Sequence, residues 1–193
     1  RLETEVSAVK AGTKSVPFPN LRPGRAVIAA FAGPATAGGG GGGRRGGGGA
    51  MGDVSGLKPI TIENSAAQLP DGFAGGEAVF FIAGRTGMQV KRPAFGAEGN
   101  VIDHLSGTVV DKFINEIAEP EIKACGSNPP FSVFCDSLEI NGENWTDDFL
   151  AEFQQLRGYD LKPLLPALIG NIGERTADIR HDYGQTVTDL YNK

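Results

Sequence analysis

The sequence predicts an α/β fold with parallel strands, and three observations point that way. Short apolar runs bounded by glycine and proline recur at 25–31, 77–83 and 131–135, at a length that suits strands buried on both faces. Segments with apolar residues three and four apart alternate with these runs, the mark of amphipathic helices. Alternation of the two kinds is the pattern of parallel α/β units, whose sites lie in loops at the carboxyl ends of the strands. A closed eight-stranded barrel takes about 250 residues. A chain of 193 residues would then form only part of one.

The elements follow in order. Arg25 to Phe31 (RAVIAAF) lies between Pro23-Gly24 and Gly33-Pro34 and reads as the first strand. The glycine tract from Gly38 to Gly49 holds ten of the 29 glycines; it cannot build a core, and 36–56 is expected to be a low-complexity, disordered loop interrupting the fold. Lys58 to Ile62 could add a small strand, and Pro70-Asp71-Gly72 is a turn signal. Glu77 to Ala83 (EAVFFIA) reads as the second buried strand, closed by Gly84, and Arg85 to Gly99 as a loop. Ser106 is placed to cap a helix whose apolar face is Val109, Val110, Phe113, Ile114 and Ile117. Pro120 ends that helix, kinks it, or restarts it as the first residue of another turn.

Asn128-Pro129-Pro130 breaks the chain, and Phe131 to Cys135 is the third expected strand. Thr146 can cap the next helix, with Asp147 and Asp148 favourable in its first turn and Trp145 and Leu150 placed as a hydrophobic staple. Phe149, Phe153 and Leu156 form its expected buried stripe, and Gly158 its stop. Pro163 and Pro166 punctuate a short apolar stretch. A last helix sets Ile179, Tyr183, Val187 and Leu190 on one face, with the polar run Glu174 to Asp182 toward solvent.

Composition narrows the function classes. With 40% hydrophobic residues the chain is globular rather than disordered, and no apolar run approaches the roughly 20 residues of a membrane span. A formal net charge of −5 argues against a nucleic-acid binder held by phosphate contacts, the Arg44-Arg45 pair in the glycine tract notwithstanding. Cys125 and Cys135 lack metal-ligand spacing, and a buried free thiol suits Cys135 better than a disulfide. The chain starts at Arg1 without a signal peptide and stops within a helical pattern, as expected of an excerpt from a larger protein.

Chemistry concentrates in one segment. Phe134-Cys135-Asp136-Ser137-Leu138-Glu139 puts carboxylates where a buried strand gives way to a loop, and Ile140 to Thr146 follows. Paired carboxyls are the minimum equipment for glycoside hydrolysis, one protonated as acid and one acting as base or nucleophile. Helix capping or pairing with a surface arginine is the alternative use of Asp136 and Glu139. On an extended strand the two side chains have opposite parity, so both face one site only if the chain leaves strand geometry after Cys135.

This segment resembles glycoside hydrolase family 106, the α-L-rhamnosidases. The resemblance rests on Asp136-Ser137-x-Glu139, Asn144-Trp145-Thr146, Arg157-Gly158-Tyr159-Asp160 and Leu165-Pro166-Ala167-Leu168. Glu98 to Ser106 (EGNVIDHLS) upstream and Arg180-His181-Asp182-Tyr183 downstream add to it. It covers about half the chain, from near Gly84 to the end, and implies a catalytic (β/α)8 TIM-type barrel, with 1–193 forming part of that one domain and the remainder lying beyond Lys193.

The resemblance further implies a periplasmic or secreted enzyme that removes terminal α-L-rhamnose from glycans or glycosides with inversion, assisted by calcium. Glu139 would be the general acid, Asp136 would bind sugar hydroxyls or orient Glu139, and Asp103 and His104 would line the sugar pocket. A helix-capping Asp103 and a surface His104 are the alternatives. Trp145 could stack on a sugar ring, although the staple explains it without a ligand. An inverting pair needs its second carboxylate roughly 6.5–9.5 Å away. That group is expected after Lys193, which would leave the excerpt inactive alone. A non-catalytic carbohydrate-binding relative, or an inactive fragment, is the rival reading.

Overall fold

The computed structural model describes residues 1–36, 52–132 and 140–193. Its centre is a six-stranded sheet in the order β1-β6-β3-β4-β5-β2. The strands are β1 (Leu2–Val9), β2 (Ser15–Pro17), β3 (Arg25–Gly33), β4 (Lys58–Glu63), β5 (Ala66–Gln68) and β6 (Gly76–Gly84). All pairings in this sheet are antiparallel. Parallel geometry occurs, among the described residues, only at an isolated bridge between Asp53 and Asn171.

This overturns the expected partial (β/α)8 TIM-type barrel with parallel strands. The two runs read as buried strands do form β3 and β6, but they lie side by side and antiparallel. A continuous apolar run reports burial on both faces and says nothing of direction. Here both faces are covered, one by the helical part of the chain and the other by the curl of the sheet. On one side Ala29 and Phe31 of β3 and Val79 and Phe81 of β6 meet Phe149, Phe153, Leu161, Leu165 and Ile179 from the helical part of the chain. On the other, Ala30, Ala32, Ala78, Phe80 and Ile82 pack with Val9, Val16, Ala67 and Leu69, from the sheet's own strands and a neighbouring loop. A bulge between Val27 and Ala29 turns Ile28 as well as Ala29 toward the helical side.

The short strands left little trace in the sequence. β4 returns as β5 through Asn64 and Ser65, both at positive φ (50° and 60°), the backbone of a tight hairpin turn. β1 is an edge strand carrying Glu3 and Glu5 and pairs with β6 along its whole length.

The helices are α1 (Gly107–Phe113), α2 (Glu119–Ala124), α3 (Phe149–Arg157) and α4 (Thr176–Tyr191), with a 3-10 helix at Lys162–Leu168. A π turn, Ile114–Ala118, joins α1 to α2, and Pro120 sits in the first turn of α2, where its missing N–H costs no bond. The helical backbone runs unbroken through the π turn, so Pro120 neither ends it nor starts it anew. The expected apolar face is largely open: Phe113, Ile114 and Ile117 are each more than 40% exposed, while Val109 and Val110 are partly buried; Ile122 of α2 is exposed as well. In α3 Phe149 and Phe153 are buried as expected, whereas Leu156 is exposed and Leu150 takes its place against the core. Gly158 ends α3 at φ 81°. Phe131 and Ser132 lie in no strand, and the rest of the third expected strand falls outside the described residues.

Much of the segment expected as a loop at 36–56 also lies outside them. Its described end is anchored. Val54 is 1% exposed, its N–H donates to the Asn171 carbonyl at 2.8 Å, and a Cβ on Gly170 would lie 2.5 Å from it.

The tightest backbone approach in the sheet is at Gly76 (φ 146°), where a Cβ would fall 2.1 Å from the Gly33 carbonyl oxygen. Gly76→Ala adds that clash to the strain of positive φ and is expected to cost about 3 kcal/mol in urea unfolding. A loss under about 0.5 kcal/mol would show that β3 and β6 can part without penalty.

Candidate active site

β6 ends at Gly84, and the chain then runs through an irregular loop to α1. The end of this loop holds Asp103 and His104. Asp103 closes a local turn, its Oδ1 accepting the Leu105 N–H at 3.0 Å, and Leu105 is buried at 2% exposure. Ser106 occupies the N-cap of α1 without a side-chain bond, and Asp103 accepts its N–H only through the backbone carbonyl. The His104 side chain is mostly enclosed, and it reaches Glu143.

Glu143 joins the two motif-bearing segments. Its Oε1 accepts the His104 backbone N–H at 2.7 Å, and its Oε2 lies 3.3 Å from Nδ1 of the same residue. The second approach has an ion-pair distance but lacks hydrogen-bond alignment, since Nδ1 is buried without a hydrogen-bond partner. One carboxylate thus fixes the backbone of His104 across 39 residues of sequence and lies beside its ring. Sequence reasoning did not single out Glu143. The available signal was an acid one residue after Gly142, whose φ of 76° turns the chain beside Arg1.

The next residues lock the turn to the core. Asn144 Oδ1 accepts the Leu2 N–H at 2.8 Å, and the Asn144 carbonyl accepts the Tyr183 hydroxyl at 2.6 Å. Burial holds the Tyr183 phenol well above its ordinary range. Trp145 is 5% exposed and stacks on Phe149, with centroids 4.6 Å apart and planes at 23°. One ring face is thereby taken by the staple partner's own helix, and the residue also lines a hollow beside Arg25 and Ala83. Among the expected site residues, the structure brings Asp103 and His104 together with the Glu143 turn and places Trp145 beneath it. Asp136 and Glu139 lie outside the described residues.

The remaining motifs act as ties between helices. Arg157 donates to Thr186 Oγ1 at 3.1 Å and pairs with Asp189, so the end of α3 is fastened to α4. Tyr159 donates to Asp182 at 2.8 Å beneath the guanidinium of Arg175, 5.3 Å from the ring centroid. Arg180 donates to the carbonyls of Ala167 and Gly170 at 2.6 and 2.9 Å, satisfying the end of the 3-10 helix.

Beside the His104–Glu143 pair a cleft of about 700 Å³ opens between the loop after β6, the 140–144 turn and the end of α4. Among the described residues no group of three or more His, Cys, Asp or Glu is placed to hold a metal ion. No described helix is long and apolar enough to cross a membrane.

A cleft off the end of a central strand, walled by the loop after β6 and by the 140–144 turn, has the form of a small-molecule site. The family model described as alpha-L-rhamnosidase, glycoside hydrolase family 106, matches residues 80–193, more than half of the chain, and the chain belongs to that family. It is 35% identical over 104 residues to a Formosa agariphila protein described as "Putative beta-glucuronidase", a match covering 51% of this chain and 9% of that one. Among solved structures it is similar to a rhamnosidase from Novosphingobium sp. PP1Y, with 26% identity and a TM-score of 0.54, covering 72% of this chain and 15% of that one. The chain therefore spans a small part of the length of each.

Two predictions come from these contacts. Glu143→Ala removes a charge-assisted tie that is largely enclosed and should lower stability by about 2 kcal/mol in urea unfolding. Under about 0.5 kcal/mol the pair would be ornamental. The second concerns Tyr159, whose phenol is pushed up to about 12 from 10.0 by burial first, then by its hydrogen bond to Asp182 and that carboxylate's charge. Between those values the unfolded chain has lost a proton that the folded chain keeps, so stability falls as pH rises through that window. The melting-temperature advantage over Tyr159→Phe should be full below pH 10 and shrink by pH 12. An advantage constant across the window would remove the link.

Proposed function

We propose that the protein containing this chain hydrolyses terminal α-L-rhamnosyl bonds of glycans or glycosides, with inversion, and that Glu139 is its general acid. The observation that supports this reading best is the contact between the Asp103-His104 segment and the turn that follows the Asp136-x-x-Glu139 motif in the chain, beside one cleft. Asp103-His104, from the loop after β6, is held by Glu143, four residues past Glu139 in the chain. In the proposed reaction Glu139 protonates the glycosidic oxygen as the bond to the rhamnosyl carbon breaks. A second carboxylate takes a proton from water, which attacks the opposite face of the ring. Glu143 is not assigned as that base, since its Oε1 holds the His104 backbone N–H. Asp136 is assigned to sugar hydroxyls or to orienting Glu139, and Asp103 and His104 to the pocket wall. No step is assigned to calcium.

The relative described as a glucuronidase gives a second reading, a β-D-glucuronide in place of the rhamnoside. Both are tested on the full-length protein with aryl α-L-rhamnoside and aryl β-D-glucuronide, with and without Glu139→Gln. Release from the rhamnoside, reduced by about three orders of magnitude or more in the variant, is the expected result. A variant as fast as its parent removes Glu139 from the mechanism. Release only from the glucuronide replaces the substrate, and release from neither moves the sugar-binding, non-catalytic reading ahead.

A further inference from the structure

We propose that Met88 is an oxidation site, and that its conversion to the sulfoxide releases the 140–144 turn from the loop after β6. The proposal goes beyond the function above and does not rest on it. Its basis is one bond: the Asn141 backbone N–H donates to the Met88 sulfur at 3.1 Å. A thioether is a weak acceptor, so this tie depends on an electron pair of a single oxidisable atom.

The sulfur is held in place by its own backbone. The Met88 N–H donates to Thr86 Oγ1 at 3.2 Å, and the Met88 carbonyl accepts the Val101 N–H at 3.1 Å. The next residue is fastened as well, since Gln89 and Asn100 form a β-bridge and Gln89 Nε2 donates to Asn100 Oδ1 at 2.6 Å. Met88 is only half-buried, and its contact with Asn141 lies at the surface, where a small oxidant reaches it.

With a peroxide as oxidant, a sulfur electron pair attacks one peroxide oxygen. The S–O bond forms as the O–O bond breaks, and sulfur is oxidised by two electrons. The other oxygen leaves as hydroxide, takes the proton from the oxygen now on sulfur, and becomes water. Either sulfoxide epimer ends the bond to Asn141. Where oxygen enters on the electron pair that faces the amide, it fills the space of the 3.1 Å contact, and the N–H can follow it only by moving outward. Where it enters on the other pair, the sulfur becomes electron-poor and no longer accepts from an N–H.

Ties further along the chain confine the release. Asn144 keeps its bonds to the Leu2 N–H and the Tyr183 hydroxyl, and Gly142, at φ 76°, is the point about which Ile140 and Asn141 turn. Asn141 lines the cleft, so oxidation alters the cleft wall while the core stays as it is.

The test treats the full-length protein with hydrogen peroxide, with free methionine added as an internal standard. Peptide mass mapping should show Met88 gaining one oxygen at a rate within about tenfold of the free amino acid. Amide hydrogen exchange in the peptide carrying 140–144 should then quicken about fivefold, with α3 and α4 unchanged. Methionine sulfoxide reductases of both epimer specificities, with a dithiol that becomes a disulfide as water is released, should restore the original exchange. Met88→Leu should exchange fast before peroxide and show no change after it. A Met88 that stays reduced while free methionine oxidises overturns the proposal. So does an oxidised Met88 with unchanged exchange at 140–144, or a Met88→Leu variant that is as slow as the untreated parent or responds to peroxide as the parent does. Should Met88→Leu fail to fold, the reductase arm on the parent decides: exchange that stays fast after the thioether is restored overturns the proposal.

Discussion

Strand β6 has to bury both of its faces, and the rest of the molecule is arranged around that requirement. Val79, Phe80 and Phe81 are all 0% exposed, so no face of the strand is left for water. One face is closed by helices, the other by the curl of the sheet through β4, β5 and β2. Burial of a large apolar side chain contributes about 1.5–3 kcal/mol, and the three together outweigh any single tie on the surface. The functional consequence follows from where β6 stops. Gly84 delivers the chain out of the core beside Arg1, Arg25 and the Asn144-Trp145 turn, so the loop bearing Asp103 and His104 begins from a rigid point.

How much of this was legible in the sequence depended on what each residue pattern reports. Burial was legible: the runs at 25–31 and 77–83 form the two central strands, and Ile179, Tyr183, Val187 and Leu190 do share the packed face of α4. Direction was not, because a strand covered on both faces looks the same in a parallel or an antiparallel sheet. β2 and β5 span three residues each, too few for a period to show. The α1–α2 region shows the converse failure. Its three- and four-residue spacing predicted an apolar face, and the face exists, but spacing cannot tell whether anything covers it.

The site was legible as segments and hidden as contacts. Asp103, His104 and the Asn144-Trp145-Thr146 stretch were read from motifs, and the structure gathers them, yet the residue that joins them was overlooked. Glu143 has no helical or strand period to reveal it, because its role arises only when two turns 39 residues apart meet. Trp145 illustrates the opposite case. An aromatic beside acids suggests a sugar platform, but stacking on Phe149 and 5% exposure make it first a packing residue.

The family motifs divide along the same line. Arg157, Tyr159, Arg180 and Asp182 are absent from the cleft lining; they fasten α3, the turn after it, the 3-10 helix and α4 to one another through charged or polar ties, while Asp160 closes a local turn at the start of the 3-10 helix. Such ties contribute modestly as single contacts, on the order of 1 kcal/mol where partly exposed. Their value here lies in geometry. Hydrophobic burial holds α4 against the sheet but is tolerant of sliding along it, whereas the Tyr159–Asp182 and Tyr183–Asn144 bonds each accept only one register. The first sets α4 against the turn after α3, and the second sets it against the turn that carries Glu143. A motif spread over 80 residues can therefore serve one cleft while few of its members reach the substrate: the outer residues fix where the inner ones stand.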